Sequence, residues 1–147
     1  MATTCTINIS SDIAPGFGGV SKSMTLTQAG TTTDIEETTG FSRRRLAATT
    51  LVDLIIMADA SLIQETDDNK AHKVYIKNIG DGKGNIDKTQ YVTVGIGDIA
   101  GTPQQIGRLY GDDWMLFPVT GVDGQDVTVQ PSNDNPVVLE FVMFYEV

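Results

Sequence analysis

A two-residue period runs through much of this chain. Lys73-Val74-Tyr75-Ile76-Lys77-Asn78-Ile79 alternates polar and apolar side chains, with Val74, Ile76 and Asn78 on one face, and Gln90–Ile96 and Gln125–Gln130 repeat the pattern. Successive side chains of a strand point to opposite faces, so this alternation calls for sheets with one wet side and one dry side. Turn chemistry separates the runs: Gly80-Asp81-Gly82-Lys83-Gly84-Asn85, Gly101-Thr102-Pro103, Asp112-Asp113 and the stretch from Pro131 to Pro136. The first of these joins 73–79 to 90–96 as a paired hairpin in this reading. Gln105–Tyr110 and Trp114–Val119 supply further strands, the latter ending at Pro118, and Val137–Tyr145 reads as a long, buried one. Leu51, Leu54 and Ile55 fit helical spacing, but the stretch between Thr50 and Asp59 is too short for a useful helix, and a strand is preferred there. Short strands at near-regular spacing predict an all-β fold, a jelly roll or β-sandwich.

The first forty residues differ in kind. They are rich in Thr, Ser and Gly, with weak strands at Thr6–Ser10 and Ser23–Thr27 around Pro15-Gly16-Phe17-Gly18-Gly19. The chain therefore divides into an N-terminal segment, 1–40, and a β-sandwich body, 41–147. The segment is either an edge hairpin of the body or an extended arm that pairs with another chain. Its main apolar side chains are Ile7, Ile9, Ile13, Phe17, Met24, Leu26 and Ile35. Burying one such side chain yields ~1.5–3 kcal/mol, while ordering each backbone residue costs ~1–2 kcal/mol. So sparse a set of anchors gains more by inserting Ile7 or Phe17 into a neighbouring surface than by folding alone.

Composition narrows function mainly by exclusion. A chain of 147 residues suits one domain, with or without an arm. The formal net charge of −9 disfavours nucleic acid and anionic membrane as partners. There is one cysteine, Cys5, and one histidine, His72, so neither a disulfide framework nor a cysteine-based zinc site is expected. Met1-Ala2-Thr3-Thr4 has no basic leader pattern, and the chain is expected to fold in a cytoplasm. Asp81–Asp87 fails as a calcium loop, because Lys83 and Val92 stand where an acid or amide and a glutamate are needed. Gly95-Ile96-Gly97-Asp98-Ile99-Ala100 is stopped by Gly101-Thr102-Pro103 before it opens a dinucleotide-binding helix. His72 has no nucleophile elbow to serve, and Ser42, Ser61 and Cys5 are remote in sequence. Asp67-Asp68 and Asp112-Asp113 read as turn residues rather than glycosidase carboxylates. The expectation is a non-enzymatic protein with no cofactor and no metal.

Arg43-Arg44-Arg45 is the one basic run. It suits surface pairing with the chain's own acids or, alternatively, contact with an acidic neighbour. Tyr75, Tyr91, Tyr110, Trp114, Phe117, Phe141 and Phe144 either line a carbohydrate groove or fill the core, and for Trp114, amid Met115, Leu116 and Phe117, burial is the expectation. The candidate interface residues are Ile7, Phe17, Arg43, Arg44 and Arg45.

One stretch carries a resemblance. Val74-Tyr75-Ile76-Lys77-Asn78, Tyr91-Val92-Thr93-Val94-Gly95 and Ile106-Gly107-Arg108-Leu109-Tyr110-Gly111-Asp112-Asp113-Trp114-Met115-Leu116-Phe117-Pro118-Val119 resemble small virion proteins of tailed bacteriophages, some from cyanophages. Those proteins show a strand with Lys-Asn, a strand closing on Gly, and a Pro-Gly-acid corner before a Phe-Pro or Leu-Pro strand. Here Tyr110 stands where the corner proline would be. The resemblance covers about residues 73–145. It implies a capsid decoration (cement) protein: a jelly roll, homotrimeric, clamping the major capsid protein at local three-fold points of the virion, assembled in the host cytoplasm. A tail or fibre-base component of the virion and a carbohydrate-binding module are the alternatives.

Overall fold

The computed structural model describes residues 2–10, 19–35, 37–57, 70 and 72–146. Phe17, Ile13, Ser61, Asp67-Asp68 and most of the polar stretch 64–71 lie outside them. Among the described residues there are eleven strands and no helix, and hence no helix long and apolar enough to cross a membrane. The fold is all-β.

The strands, numbered in chain order, fall into three antiparallel sheets. Strands β1 (Thr4–Ile9) and β2 (Val20–Thr25) pair only with each other. A four-stranded sheet runs β5 (Val52–Ile55), β10 (Val127–Pro131), β7 (Tyr91–Ile96), β8 (Gln104–Tyr110). The third runs β3 (Glu37–Thr38), β11 (Val137–Tyr145), β6 (His72–Asn78), β9 (Trp114–Val119), and β4 (Ser42–Leu46) shares the β3 side of β11. Strand β4 covers Val137 to Phe141 and β3 covers Phe144 and Tyr145.

The two large sheets close on one core. Val92, Val94, Leu109, Val127 and Val129 of the four-stranded sheet meet Val74, Ile76, Val119, Val137, Leu139 and Met143 of the other. Strand β6 alternates as the sequence predicts: His72, Val74, Ile76 and Asn78 are buried and the residues between them are half-buried. Burying Asn78 is tolerable because both polar atoms of its amide have a hydrogen-bond partner. Its Nδ2 donates to Leu109 O at 3.1 Å, and its Oδ1 accepts from Gly80 N at 3.0 Å.

Three expectations are corrected. Strands 73–79 and 90–96 do not form a hairpin. The intervening residues cross from one sheet to the other, and β6 pairs with β9 and β11 while β7 pairs with β8 and β10. Asp81 organises that crossing, its Oδ1 accepting from Lys83 N and Asn85 N at 2.7 and 3.1 Å. Strand β9 runs through Pro118 to Val119. Proline fits there because β9 is an edge strand and no ladder bond is lost on its open side. The aromatic residues, finally, do not fill the centre of the core, although Phe117, Phe141 and Tyr145 are partly buried and pack against it. Among the described residues every fully buried large side chain except His72 is aliphatic or methionine, and Trp114 is 50% exposed. Two sheets stacked ~10 Å apart interdigitate Val, Leu and Ile well. Trp114 pairs with Lys77, on the outward parity of β6, whereas Met115, Phe117 and Val119 take the inward positions of β9.

Residues 26–35, 37 and 38 lie on the body. Leu26 and Ile35 are each 1% exposed, with Ile35 N donating to Leu26 O at 2.9 Å, and β3 adds to β11. Among the described residues, β1 and β2 pair with no strand of either large sheet.

The corner at Gly111 is a close approach of two loops. A β-carbon there would overlap Asp87 O and stand 2.8 Å from Ile86 Cγ2, and Lys88 Nζ donates to Gly111 O at 2.6 Å. Gly111→Ala is expected to cost ~1–3 kcal/mol, lowering Tm by about 2–4 °C per kcal/mol. A thermal melt unchanged from the parent would show that segment 86–88 yields freely.

Candidate interaction surface

Hairpin β1–β2 has two chemically distinct faces, fixed by its register. Residues directly opposite in an antiparallel pair share a face. Cys5–Met24, Ile7–Lys22 and Ile9–Val20 therefore make one face, and Thr4–Thr25, Thr6–Ser23 and Asn8–Ser21 the other. The polar face satisfies itself: Thr6 and Ser23 hydroxyls lie 3.0 Å apart, and Ser21 Oγ donates to Asn8 Oδ1 at 2.6 Å. The apolar face is left in solvent, with Ile7, Ile9, Val20 and Met24 between 38% and 53% exposed. An isolated two-stranded hairpin is marginal in water, and exposing its apolar face makes it more so.

The base of that face opens onto the body. Cys5, Ile7, Lys22 and Met24 on one side and Lys73, Leu116, Phe117 and Pro118 on the other line a cleft of about 370 Å³. A second, smaller recess of about 180 Å³ lies beside it, between Thr3–Cys5 and Phe41, Tyr75, Leu116, Val142 and Phe144. Three aromatic rings continue the surface. Phe41, 69% exposed, meets Tyr75 edge-on at 6.2 Å, and Tyr75 lies 6.2 Å from Trp114. Exposed Phe41 and Trp114 on either side of half-buried Tyr75, next to apolar clefts, have the composition of a protein-binding hot spot rather than of an ordinary wet sheet face.

The residues expected at an interface are not all brought together. Ile7 belongs to the hairpin cleft. Arg43, Arg44 and Arg45 lie on β4, across the sheet from β9, and do not line the cleft. Arg43 Nη2 sits 2.9 Å from Glu140 on the neighbouring strand, and Arg44 Nη1 donates to the Asp53 carbonyl. Arg43 thus pairs with one of the chain's own acids and Arg44 with a main-chain carbonyl, while Arg45 is exposed and makes no ion pair among the described residues. Phe17 lies outside the described residues. Phe41, Tyr75 and Trp114 as one surface stripe were missed. The signal for Tyr75 was present, because it shares the parity of Lys73 and Lys77, which must face water. Phe41 precedes its strand and carries no periodic signal.

Of the titratable residues weighed as catalytic, Asp112, Asp113 and His72 lie among the described residues and make contacts within the fold. Asp113 Oδ2 accepts from Tyr110 N at 2.9 Å, and Asp112 pairs with Lys77 at 2.8 Å, which lowers the Asp112 carboxyl and raises the Lys77 ammonium from their ordinary values. His72 is fully buried; its Nδ1 accepts from Glu146 N at 3.2 Å, and among the described residues its Nε2 has no hydrogen-bond partner. Burial holds the imidazole below its ordinary value of 6.5, with Glu146 opposing and Lys73 and Lys70 adding to the shift. The unfolded chain therefore takes up this proton before the folded one does. His72's contribution is intact above about pH 6.5 and is lost as pH falls below it toward the folded value. His72→Gln should flatten that part of the stability profile, read by urea unfolding at about pH 7.5 and about pH 5.5. An unchanged slope would assign the acid sensitivity to other groups.

The chain matches no known protein family, and no curated protein matches it.

Proposed function

We propose that this chain is a non-enzymatic structural protein of a phage virion that decorates and stabilises the capsid, docking through hairpin β1–β2 and the Phe41–Tyr75–Trp114 stripe. The observation that carries the reading is the hairpin itself, a separate two-stranded sheet with an exposed apolar face and a cleft at its base. Such an element is costly for a monomer and useful to a protein that adds to an assembly. The occupant is the major capsid protein, with the apolar hairpin face covered by the shell.

The body is read as a jelly roll. Its eight strands alternate between the sheets as β4-β11-β6-β9 and β5-β10-β7-β8, so that among β4 to β11 only β7 and β8 are sequence neighbours paired with each other. That wrapping is the one expected of two Greek keys folded together, an architecture used by capsid and lectin domains alike. The resemblance of residues 73–145 to small virion proteins points the same way and suggests a homotrimer.

Light scattering and capsid co-sedimentation test the reading together. A trimer at micromolar concentration that pellets with capsids is expected. A monomer that stays in the supernatant would contradict it.

A further inference from the structure

The four-stranded sheet has an outer face with its own chemistry. Its strands β5, β10, β7 and β8 contain no lysine and no glutamate. A merely solvated face would be expected to carry such residues, since they dominate exposed positions. Register sets out what it carries instead. Asp53, Thr128, Gly95 and Gln105 form one row across the sheet, Gln130, Thr93 and Arg108 the next, and Tyr91 and Tyr110 the third.

We propose that this face binds a neutral oligosaccharide, with one sugar ring seated in the recess over Gly95 and Thr128 and the chain continuing toward Tyr91 and Tyr110. The recess has a volume of about 210 Å³, with Leu51, Thr93, Gly95, Gln105, Thr128 and Gln130 in its walls. It exists because residue 95 has no side chain; a β-carbon there would stand 2.9 Å from Thr128 Oγ1. Thr128 is fully buried, and among the described residues its hydroxyl has no hydrogen-bond partner. Buried hydroxyls are normally satisfied, and one left open beside a polar recess is a group awaiting a ligand. Gln130 spends its Nε2 on Thr49 O at 2.8 Å, which leaves its Oε1 to accept.

Gly95 and Tyr91 are four residues apart, or about 13 Å at the rise of a strand. At the Tyr91 end the tyrosine rings lie 5.3 Å apart, and the Arg108 guanidinium covers Tyr91 at 4.6 Å. Tyr110 is 38% exposed. A sugar offers hydroxyls at its rim and an apolar C–H face. Amides, hydroxyls and a guanidinium fork match the first, and an exposed tyrosine ring matches the second. An anionic ligand suits the face less well, since Asp53 lies on it and already feels the charges of Asp126 and Asp98, and the chain carries −9. This site lies on the sheet opposite the hairpin clefts and does not rest on the decoration reading.

The test is a nitrogen-15 NMR titration of the full chain with maltohexaose, cellohexaose and mannohexaose. At least one should shift the amide signals of Thr93, Gln105, Thr128 and Gln130 saturably. Gln105→Ala and Tyr110→Ala, both at exposed positions, should each weaken that binding at least about tenfold, or 1.4 kcal/mol. Thr128→Val should weaken binding similarly while raising Tm, since it removes an unsatisfied hydroxyl at nearly constant volume. No shifts with any of the three sugars at about 10 mM, shifts confined to another face, or binding that survives these substitutions would each overturn the proposal.

Discussion

A chain that lacks residues 2–25 is expected to melt as a cooperative β-fold and to lose its hold on the capsid. The cut falls after β2 and spares Leu26, Ile35 and β3, which belong to the body. The truncated body loses the Leu26 N to Thr3 O bond and the cover that Thr3–Cys5 give the recess beside Tyr75. That is a cost of about 1 kcal/mol for the bond, against several for a buried core side chain. Docking, by contrast, loses Ile7, Ile9, Val20 and Met24 together. Each fully buried side chain of this kind contributes ~1.5–3 kcal/mol, so a loss of at least about 100-fold in affinity is expected. Extending the deletion to residue 40 should behave differently, because it also removes Leu26, Ile35 and β3 and uncovers Val142, now 1% exposed. The shorter cut should leave a soluble protein and the longer one a destabilised protein. Equal melts for the two would place residues 26–38 outside the cooperative unit. Full capsid binding by the shorter truncation would remove the hairpin from the interface.

Leu139→Ala and Trp114→Ala should separate stability from binding. Leu139 is fully buried in β11, between β4 and β6. Its truncation leaves a cavity between the two large sheets and is expected to cost ~2–5 kcal/mol, a large share of the total stability of a domain this size. Trp114 is half exposed on an edge strand and touches Tyr75 on the surface. Its truncation should change Tm little and lower capsid affinity by ~2 kcal/mol or more, as truncation of a hot-spot residue does. Urea unfolding and co-sedimentation on both proteins check this. A Trp114→Ala protein as unstable as Leu139→Ala would return the tryptophan to the core.

Strand identity was legible in the sequence where one face is wet and the other dry. Strand β6 shows this best, because Lys73 and Lys77 mark its outer parity as clearly as Val74 and Ile76 mark its inner one. Pairing was not legible. Strands β6 and β7 are neighbours in sequence and read as a hairpin, yet they lie in opposite sheets. Alternation says which face is buried and nothing about which strand lies alongside. The aromatic surface stripe was misassigned for a related reason. Composition assigns Trp114 to the core, and only the register against Lys77 turns it outward. The recess over Gly95 needs three strands at once, so no single run of sequence announces it. Ile7 was placed correctly on the hairpin's apolar side by its alternation with Thr6 and Asn8. Strand parity puts Arg43 and Arg45 on one face of β4 and Arg44 on the other, and the sheet keeps that division: Arg43 meets Glu140, Arg44 reaches the Asp53 carbonyl and Arg45 faces solvent.

Cryo-electron microscopy of capsids saturated with the full chain tests the docking account most directly. The predicted result is added density at the local three-fold points, three copies of the β-sandwich at each, with Ile9, Val20 and Met24 buried against the shell and the β5-β10-β7-β8 sheet facing outward. Bare capsids at saturating protein, or bound copies whose β1–β2 hairpin stands free in solvent, would contradict it.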